Sequence, residues 1–144
     1  MLKGIPPLLG PDLLHVLAGM GHGDEIAIVD ANYPAENAGP DVIRLDGHSA
    51  TDVLDAVLKL LPLDTFVDVA AHGMQVVGEP ETRMPVMEEF EKVIARHQAG
   101  VKFALIERFA FYERVRGAFA IVQTGERRLY GNIVVTKGVI GPEG

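Results

Sequence analysis

Short apolar runs alternate with amphipathic helical segments along this chain, and that alternation constrains the fold more than any other feature. An apolar run of about 4–8 residues bounded by turn residues is typical of a buried strand, whereas an apolar stripe with helical spacing indicates one face of a helix. Helical segments begin at or just after Pro11, Ser49, Pro85 and Phe109. The runs that we predict as strands span residues 26–29, 42–45, 66–71, 103–106, 118–123 and 132–136.

This order of elements predicts an α/β fold with a largely parallel mixed sheet flanked by helices. The connection that contains Thr124 and Gly125 indicates that the last two strands form an antiparallel pair. A chain of 144 residues with 48% hydrophobic content can bury one core. We therefore expect a single domain over residues 1–144.

Charge and composition narrow the classes of partner. The formal net charge is −7 and no basic stripe is present, which argues against nucleic acid and against an anionic membrane surface. No apolar segment approaches the ~20 residues of a membrane span, and the N-terminal segment, broken by Pro6 and Pro7, makes a poor signal peptide. We therefore expect a cytoplasmic protein, and neutral, polyhydroxylated ligands are compatible with this charge.

The amino-acid composition also excludes several kinds of catalysis. The chain has no cysteine, so disulfides and thiolate nucleophiles are excluded. Its single serine, Ser49, is a helix cap, which excludes a serine hydrolase. Acid–base chemistry on a polar ligand stays available.

The stretch MGHGDEIAIVDANYP brackets the first predicted strand with two groups suited to proton transfer, His22 and Asp30. An imidazole with a reference pKa near ~6.5 exchanges protons at neutral pH, and a carboxylate at a strand end accepts hydroxyl hydrogen bonds. From the residues alone, a histidine such as His22 is more often a solvated or hydrogen-bonded loop residue than a catalyst. Asp30 is as readily a turn cap as a functional carboxylate. Eight extended residues would separate them by about 26 Å. Either the glycine loop folds back, or a site combines residues from two subunits.

Arg108 follows the strand predicted at residues 103–106, a position where α/β proteins place ligand-binding groups. Its guanidinium is a fixed array of donors suited to hydroxyls. The alternative is a surface ion pair with Glu107 or Glu113.

Tyr130, Gly131 and Asn132 precede the last predicted strand. Tyrosine and asparagine supply hydroxyl and amide hydrogen bonds, and glycine lets the backbone approach a ligand. The same tripeptide also fits an ordinary turn. Asn32 is a weaker candidate of the same kind.

A metal site made from His22, Asp30 and His72 stays open as an alternative, although their spacing matches no compact ligand motif. The histidines without comparable neighbours are predicted to be structural or surface residues: His15, His48, His72 and His97.

Three segments carry a resemblance to a known family: MGHGDEIAIVDANYP, RFAFYERVRGAFAIVQTGE and YGNIVVTKGV, in this order. Over residues 1–138 the chain resembles the fucose mutarotase and ribose pyranase family of enzymes that interconvert sugar isomers. The phrases ERFAFYE and TGERRLYGNI are more similar to the fucose branch than to the ribose branch. The resemblance is weakest at residues 64–85.

The resemblance implies a function without a cofactor, in which α and β anomers of L-fucose interconvert through the open-chain aldehyde. A ribose pyranase and a non-catalytic sugar-binding protein are the alternatives. The family match implies a homo-oligomer, a decamer of two five-membered rings. It implies His22 as the proton donor and the following residues as sugar-binding: Asp30, Arg108, Tyr130, Gly131 and Asn132.

Overall fold

Most of the predicted apolar runs form strands of one sheet. The computed structural model describes residues 1–144. The strands are β1 (Glu25–Val29), β2 (Asp41–Leu45), β3 (Ala71–Met74), β4 (Phe103–Ile106), β5 (Ala120–Thr124) and β6 (Ile133–Thr136). Their order in the sheet is β2-β5-β1-β6-β3-β4. The pairs β2–β5, β5–β1 and β3–β4 are parallel, whereas β6 is antiparallel to both of its neighbours, β1 and β3.

Local capping explains where the helices begin. The helices are α1 (Pro11–Gly19), α2 (Ala50–Leu58), α3 (Pro85–His97) and α4 (Arg108–Arg116), with a short 3-10 helix at Ala35–Asn37. Proline opens α1 and α3, where its missing N–H group costs nothing. Ser49 caps α2 by accepting the Asp52 N–H group at 3.1 Å. None of these helices is long and apolar enough to cross a membrane.

Helices cover both faces of the sheet. Alternate residues of β1 point to opposite faces, so Ile26 and Ile28 join the larger core whereas Ala27 and Val29 join the smaller one. Buried side chains of α1, α2 and α3 complete the larger core, and α4 with the 3-10 helix completes the smaller core. The α/β class with a mostly parallel mixed sheet is therefore confirmed.

The predicted pairing of the last two strands is wrong. The two strands β5 and β6 lie on either side of β1, and the antiparallel partners of β6 are β1 and β3. Residues 125–132 are too many for a tight hairpin. They pass the end of β1 instead, where the Ala31 N–H group donates to the Glu126 carbonyl at 2.9 Å.

The strand predicted at residues 66–71 is also misplaced, because β3 begins only at Ala71. The Asp64 side chain accepts the Phe66 N–H group at 3.1 Å, and this turn breaks the run before a strand can form. The Phe66 side chain is exposed rather than buried. Within β3, the missing side chain of Gly73 leaves space that Phe103 and Leu105 fill.

His72 lies in β3 and is buried, and its Nδ1 atom has no hydrogen-bond partner. Burial lowers the pKa of His72; nearby Arg114 lowers it further, and Glu25 opposes the shift. The pKa of a histidine in an unfolded chain is about 6.5. As the pH falls toward and below this pKa, the unfolded chain therefore binds a proton at His72 more readily than the folded chain does.

We expect the stability of the wild-type protein to decrease as the pH falls from 7.5 to 5.5, and to decrease less in His72→Met, which cannot take up this proton. Chemical unfolding of both proteins at each pH measures the difference. An equal loss in the two proteins would contradict a neutral, buried His72.

Candidate functional site

Polar residues from three separate segments meet at one edge of the sheet. Asp30 follows β1, and Arg108 opens α4 two residues after the end of β4. Because β6 is antiparallel to β1, the amino end of β6 lies at the same edge of the sheet as the carboxyl end of β1. Asn132, which directly precedes β6, therefore lies at this edge. These residues line a cavity of about 230 Å³ together with Asn32 and Tyr130. We call this cavity the carboxyl-edge pocket.

Asp30 and Asn132 are buried and joined by hydrogen bonds. The Asp30 N–H group donates to Oδ1 of Asn132 at 2.8 Å, and Oδ1 of Asp30 accepts the Asn32 N–H group at 2.9 Å. Burial raises the pKa of Asp30, and the hydrogen bond from Asn32 opposes the shift. The pocket therefore holds a carboxyl group that is more basic than an exposed aspartate.

The backbone at Tyr130 is held in an unusual conformation. Tyr130 has a φ of 62° and is the one non-glycine residue of the chain with a positive φ. Its hydroxyl accepts the Val77 N–H group at 3.1 Å. A Cβ atom at Gly131 would lie 2.7 Å from Cγ of Glu126, so only glycine fits there. Strained residues of this kind cluster at binding and catalytic sites.

Arg108 has donors that no protein group satisfies. Its Nε atom is buried without a hydrogen-bond partner, and its Cζ atom lies 4.5 Å from the ring centroid of Phe109. The ion pair considered from sequence is wrong: Glu107 caps α4, and Glu113 pairs with Arg116 at 2.8 Å. Since a buried, unpaired donor carries a desolvation cost, a ligand oxygen at this position would remove it.

Apolar and aromatic residues form the rest of the wall. The rings of Tyr33 and Tyr112 meet edge to face at 5.4 Å, and burial raises the pKa of Tyr33, so its phenol stays neutral. No sequence signal assigns Tyr33 to the pocket, although it falls within the MGHGDEIAIVDANYP stretch. The wall also includes Pro34, Met74, Val77 and Leu129.

His22 does not join these residues within one chain. It precedes β1, at the end of the strand opposite to Asp30, and lines a different, largely apolar cavity of about 680 Å³. The glycine loop does not fold back toward Asp30, because Gly23 donates its N–H group to the Lys137 carbonyl beyond the far end of β6 at 2.9 Å.

Asp64 is a partner of His22 that the sequence analysis missed. Nε2 of His22 lies 3.0 Å from Oδ1 of Asp64, whose side chain is buried. The N–H group of Phe66 lowers the pKa of Asp64, and His22 lowers it further. A carboxylate fixed in this way orients the imidazole and sets which nitrogen carries the proton. In the sequence, Asp64 carries only a local turn signal.

The structure does not assemble the alternative metal site within one chain. His22 and Asp30 line different cavities, and His72 lies buried near Glu25 and Arg114. No group of three or more histidine, aspartate or glutamate side chains is arranged to hold a metal ion. Among the other histidines, His97 pairs with Asp55 at 2.7 Å and joins α3 to α2.

Comparison with known proteins decides the family. Residues 3–140 match the model of the RbsD / FucU transport protein family. The chain belongs to this family. A fucose mutarotase of Homo sapiens is 50% identical over 145 residues, which cover 96% of this chain and 94% of that protein.

Solved structures of the RbsD / FucU family extend the comparison. The fucose mutarotase from Streptococcus pneumoniae, solved in complex with L-fucose, has a TM-score of 0.89 at 42% identity and covers 97% of this chain and 100% of that one. Bacillus subtilis RbsD, complexed with D-ribose, has a TM-score of 0.72 at 19% identity, with 98% and 100% coverage, and shows a shared fold alone. The resemblance to this family, and to its fucose branch, is confirmed.

We expect Arg108→Ala and Asn132→Ala each to weaken L-fucose binding by about 1–3 kcal/mol, the size of a lost buried hydrogen bond to ligand. Isothermal titration calorimetry measures the loss. Arg116→Ala is the matched control, because Arg116 is an exposed arginine that pairs with Glu113 away from the pocket. Unchanged isotherms for both pocket variants would place the sugar elsewhere.

Proposed function

We propose that this protein interconverts the α and β anomers of L-fucose by opening and closing the sugar ring. The main support for this proposal is the structural match to a fucose mutarotase solved with L-fucose. The match covers nearly the whole chain. The carboxyl-edge pocket supports it, because its polar groups suit hydroxyls and its wall has an apolar part. The ribose alternative rests on a relative with only 19% identity.

The reaction needs one acid and one base. The base removes the proton of the anomeric hydroxyl while the acid protonates the ring oxygen; the bond between C1 and the ring oxygen breaks and an aldehyde forms. Rotation about the C1–C2 bond presents the other carbonyl face, and closure returns both protons. We assign His22 as the acid and Asp30, with its raised pKa, as the base. Arg108, Tyr130 and Asn132 hold the ring, and Asp64 orients His22.

The separation of His22 from the carboxyl-edge pocket leads us to propose a site shared between two copies of the chain. Exposed apolar side chains surround each half: Val77 and Leu129 at the carboxyl-edge pocket, Phe66 and Ile140 near His22. Two different surfaces that meet head to tail generate a ring, so one copy supplies His22 and its neighbour supplies the pocket. We propose five-membered rings that stack as a decamer.

The cytoplasmic location predicted from the sequence remains a prediction, which cell fractionation would test.

We expect His22→Ala to lose about 10²- to 10⁴-fold of the accelerated anomer exchange, the usual contribution of a positioned acid. Saturation-transfer NMR measures the exchange, and His22→Gln repeats the test with less change in volume. Near-wild-type exchange in both variants would remove His22 from the mechanism.

The same NMR measurement separates the alternative functions. We expect faster exchange for L-fucose than for D-galactose or D-ribose. Pyranose–furanose exchange of ribose alone would favour the pyranase. Sugar binding without any acceleration would favour a non-catalytic binding protein.

The shared site predicts that two impaired variants, assayed at a sugar concentration too low to saturate Arg108→Ala, restore activity to each other. In a mixed ring of His22→Ala and Arg108→Ala subunits at equal amounts, about one quarter of the sites would combine an intact His22 with an intact pocket. Co-expression followed by the exchange assay measures this recovery, and each variant alone is the control. Light scattering gives the size of the assembly. A mixture as inactive as its components, or a fully active monomer of 15.5 kDa, would contradict the shared site.

A further inference from the structure

Three residues near the end of the YGNIVVTKGV motif have no role in the proposed mechanism. They nevertheless contact both loops that carry the His22–Asp64 pair. These residues are Thr136, Lys137 and Gly138, at and just after the end of β6. We call them the TKG segment. Its contacts join residues that are far apart in the sequence.

Lys137 holds the loop of His22 at three points. Its carbonyl accepts the Gly23 N–H group at 2.9 Å, and its own N–H group donates to the Asp24 carbonyl at 2.8 Å. Its side-chain Nζ atom donates to the Met20 carbonyl. Lys137 is half-buried, lines the same cavity as His22 and has no carboxylate within ion-pairing distance. A lysine that serves only solubility would extend into water.

The two neighbours of Lys137 hold the loop of Asp64. The Thr136 carbonyl accepts the Asp64 N–H group at 3.0 Å, and the Gly138 N–H group donates to the Pro62 carbonyl at 2.8 Å. A Cβ atom at position 138 would lie 2.6 Å from the Leu63 carbonyl oxygen and 2.8 Å from Cα of Asp64. The close approach of the two backbones therefore requires glycine at this position.

We propose that Lys137 is a positioning residue for His22, and that Gly138 sets the matching position of Asp64. The 3.0 Å contact between His22 and Asp64 joins two loops that are both anchored on the TKG segment. A hydrogen bond to a carboxylate depends steeply on distance and angle, so a shift of either loop weakens it. Lys137 does not need to touch the sugar. Its effect on turnover rests on the proposed role of His22 as the acid.

The test compares Lys137→Met with Lys137→Arg, which keeps a charged donor. Lys92→Met is the control, because Lys92 is an exposed lysine on α3. Imidazole ¹⁵N NMR reports the tautomer of His22 without reference to activity. In the wild type we expect a proton fixed on Nε2, facing Asp64; in Lys137→Met we expect a mixture of tautomers. Lys137→Arg and Lys92→Met should keep the wild-type spectrum.

Exchange kinetics provide the second readout. In Lys137→Met, the rate at saturating L-fucose should fall about 10- to 100-fold, the effect of a misplaced catalytic group. The fucose concentration at half-saturation should stay unchanged, and Lys137→Arg should recover most of the rate. If Lys137→Met does not fold by circular dichroism, Lys137→Gln, which has a shorter and uncharged side chain, takes its place and should show the same two changes.

Wild-type imidazole spectra and rates in the folded variant would overturn the proposal, as would a loss of fucose affinity that matches the loss of rate. A wild-type protein that does not accelerate exchange would overturn the proposed function instead. The imidazole comparison still tests the positioning role in that case.

Discussion

The antiparallel direction of β6 is the constraint on which both candidate half-sites depend. Entering the sheet between β1 and β3, β6 begins beside the carboxyl ends of these two strands and ends beside their amino ends. Asn132 therefore joins Asp30 at one edge, while the TKG segment meets the His22 loop at the other. A parallel strand in the same place would reverse these assignments. One buried strand thus fixes the distance between the proposed sugar-binding groups and the imidazole of the same chain.

The two aspartates show how local environment divides two similar groups. Burial dominates at Asp30 and raises its pKa, whereas the Phe66 N–H group and His22 lower the pKa of Asp64. Asp30 is thereby the more basic carboxylate and suits proton exchange with a ligand. Asp64 stays anionic and suits the orientation of a neighbouring ring. When local environments move the pKa values of two titrating groups in opposite directions, the two groups take different acid and base roles.

Local patterns predicted most elements of the fold because capping and hydrophobic periodicity act over a few residues. Pro11, Ser49 and the apolar run at residues 103–106 gave elements whose bounds agree with the structure. The pairing of β5 with β1 was missed because strand neighbours depend on the path of residues 125–132 over the sheet edge. The start of β3 was missed because a side-chain turn at Asp64 outweighed the apolar run that follows. The grouping of Asp30, Arg108 and Asn132 was predictable, since strand ends meet at one edge, but the contact between His22 and Asp64 depends on tertiary packing.

The left-handed backbone of Tyr130 has an evolutionary consequence. A non-glycine residue in this conformation costs of order 1–3 kcal/mol, and glycine at position 130 would relieve that backbone cost. That exchange would remove the hydroxyl that meets the Val77 N–H group and borders the carboxyl-edge pocket. Under the proposed role of Tyr130, selection against backbone strain and selection for sugar recognition therefore oppose each other at this position. A lineage that no longer needed the sugar would be free to replace this strained residue.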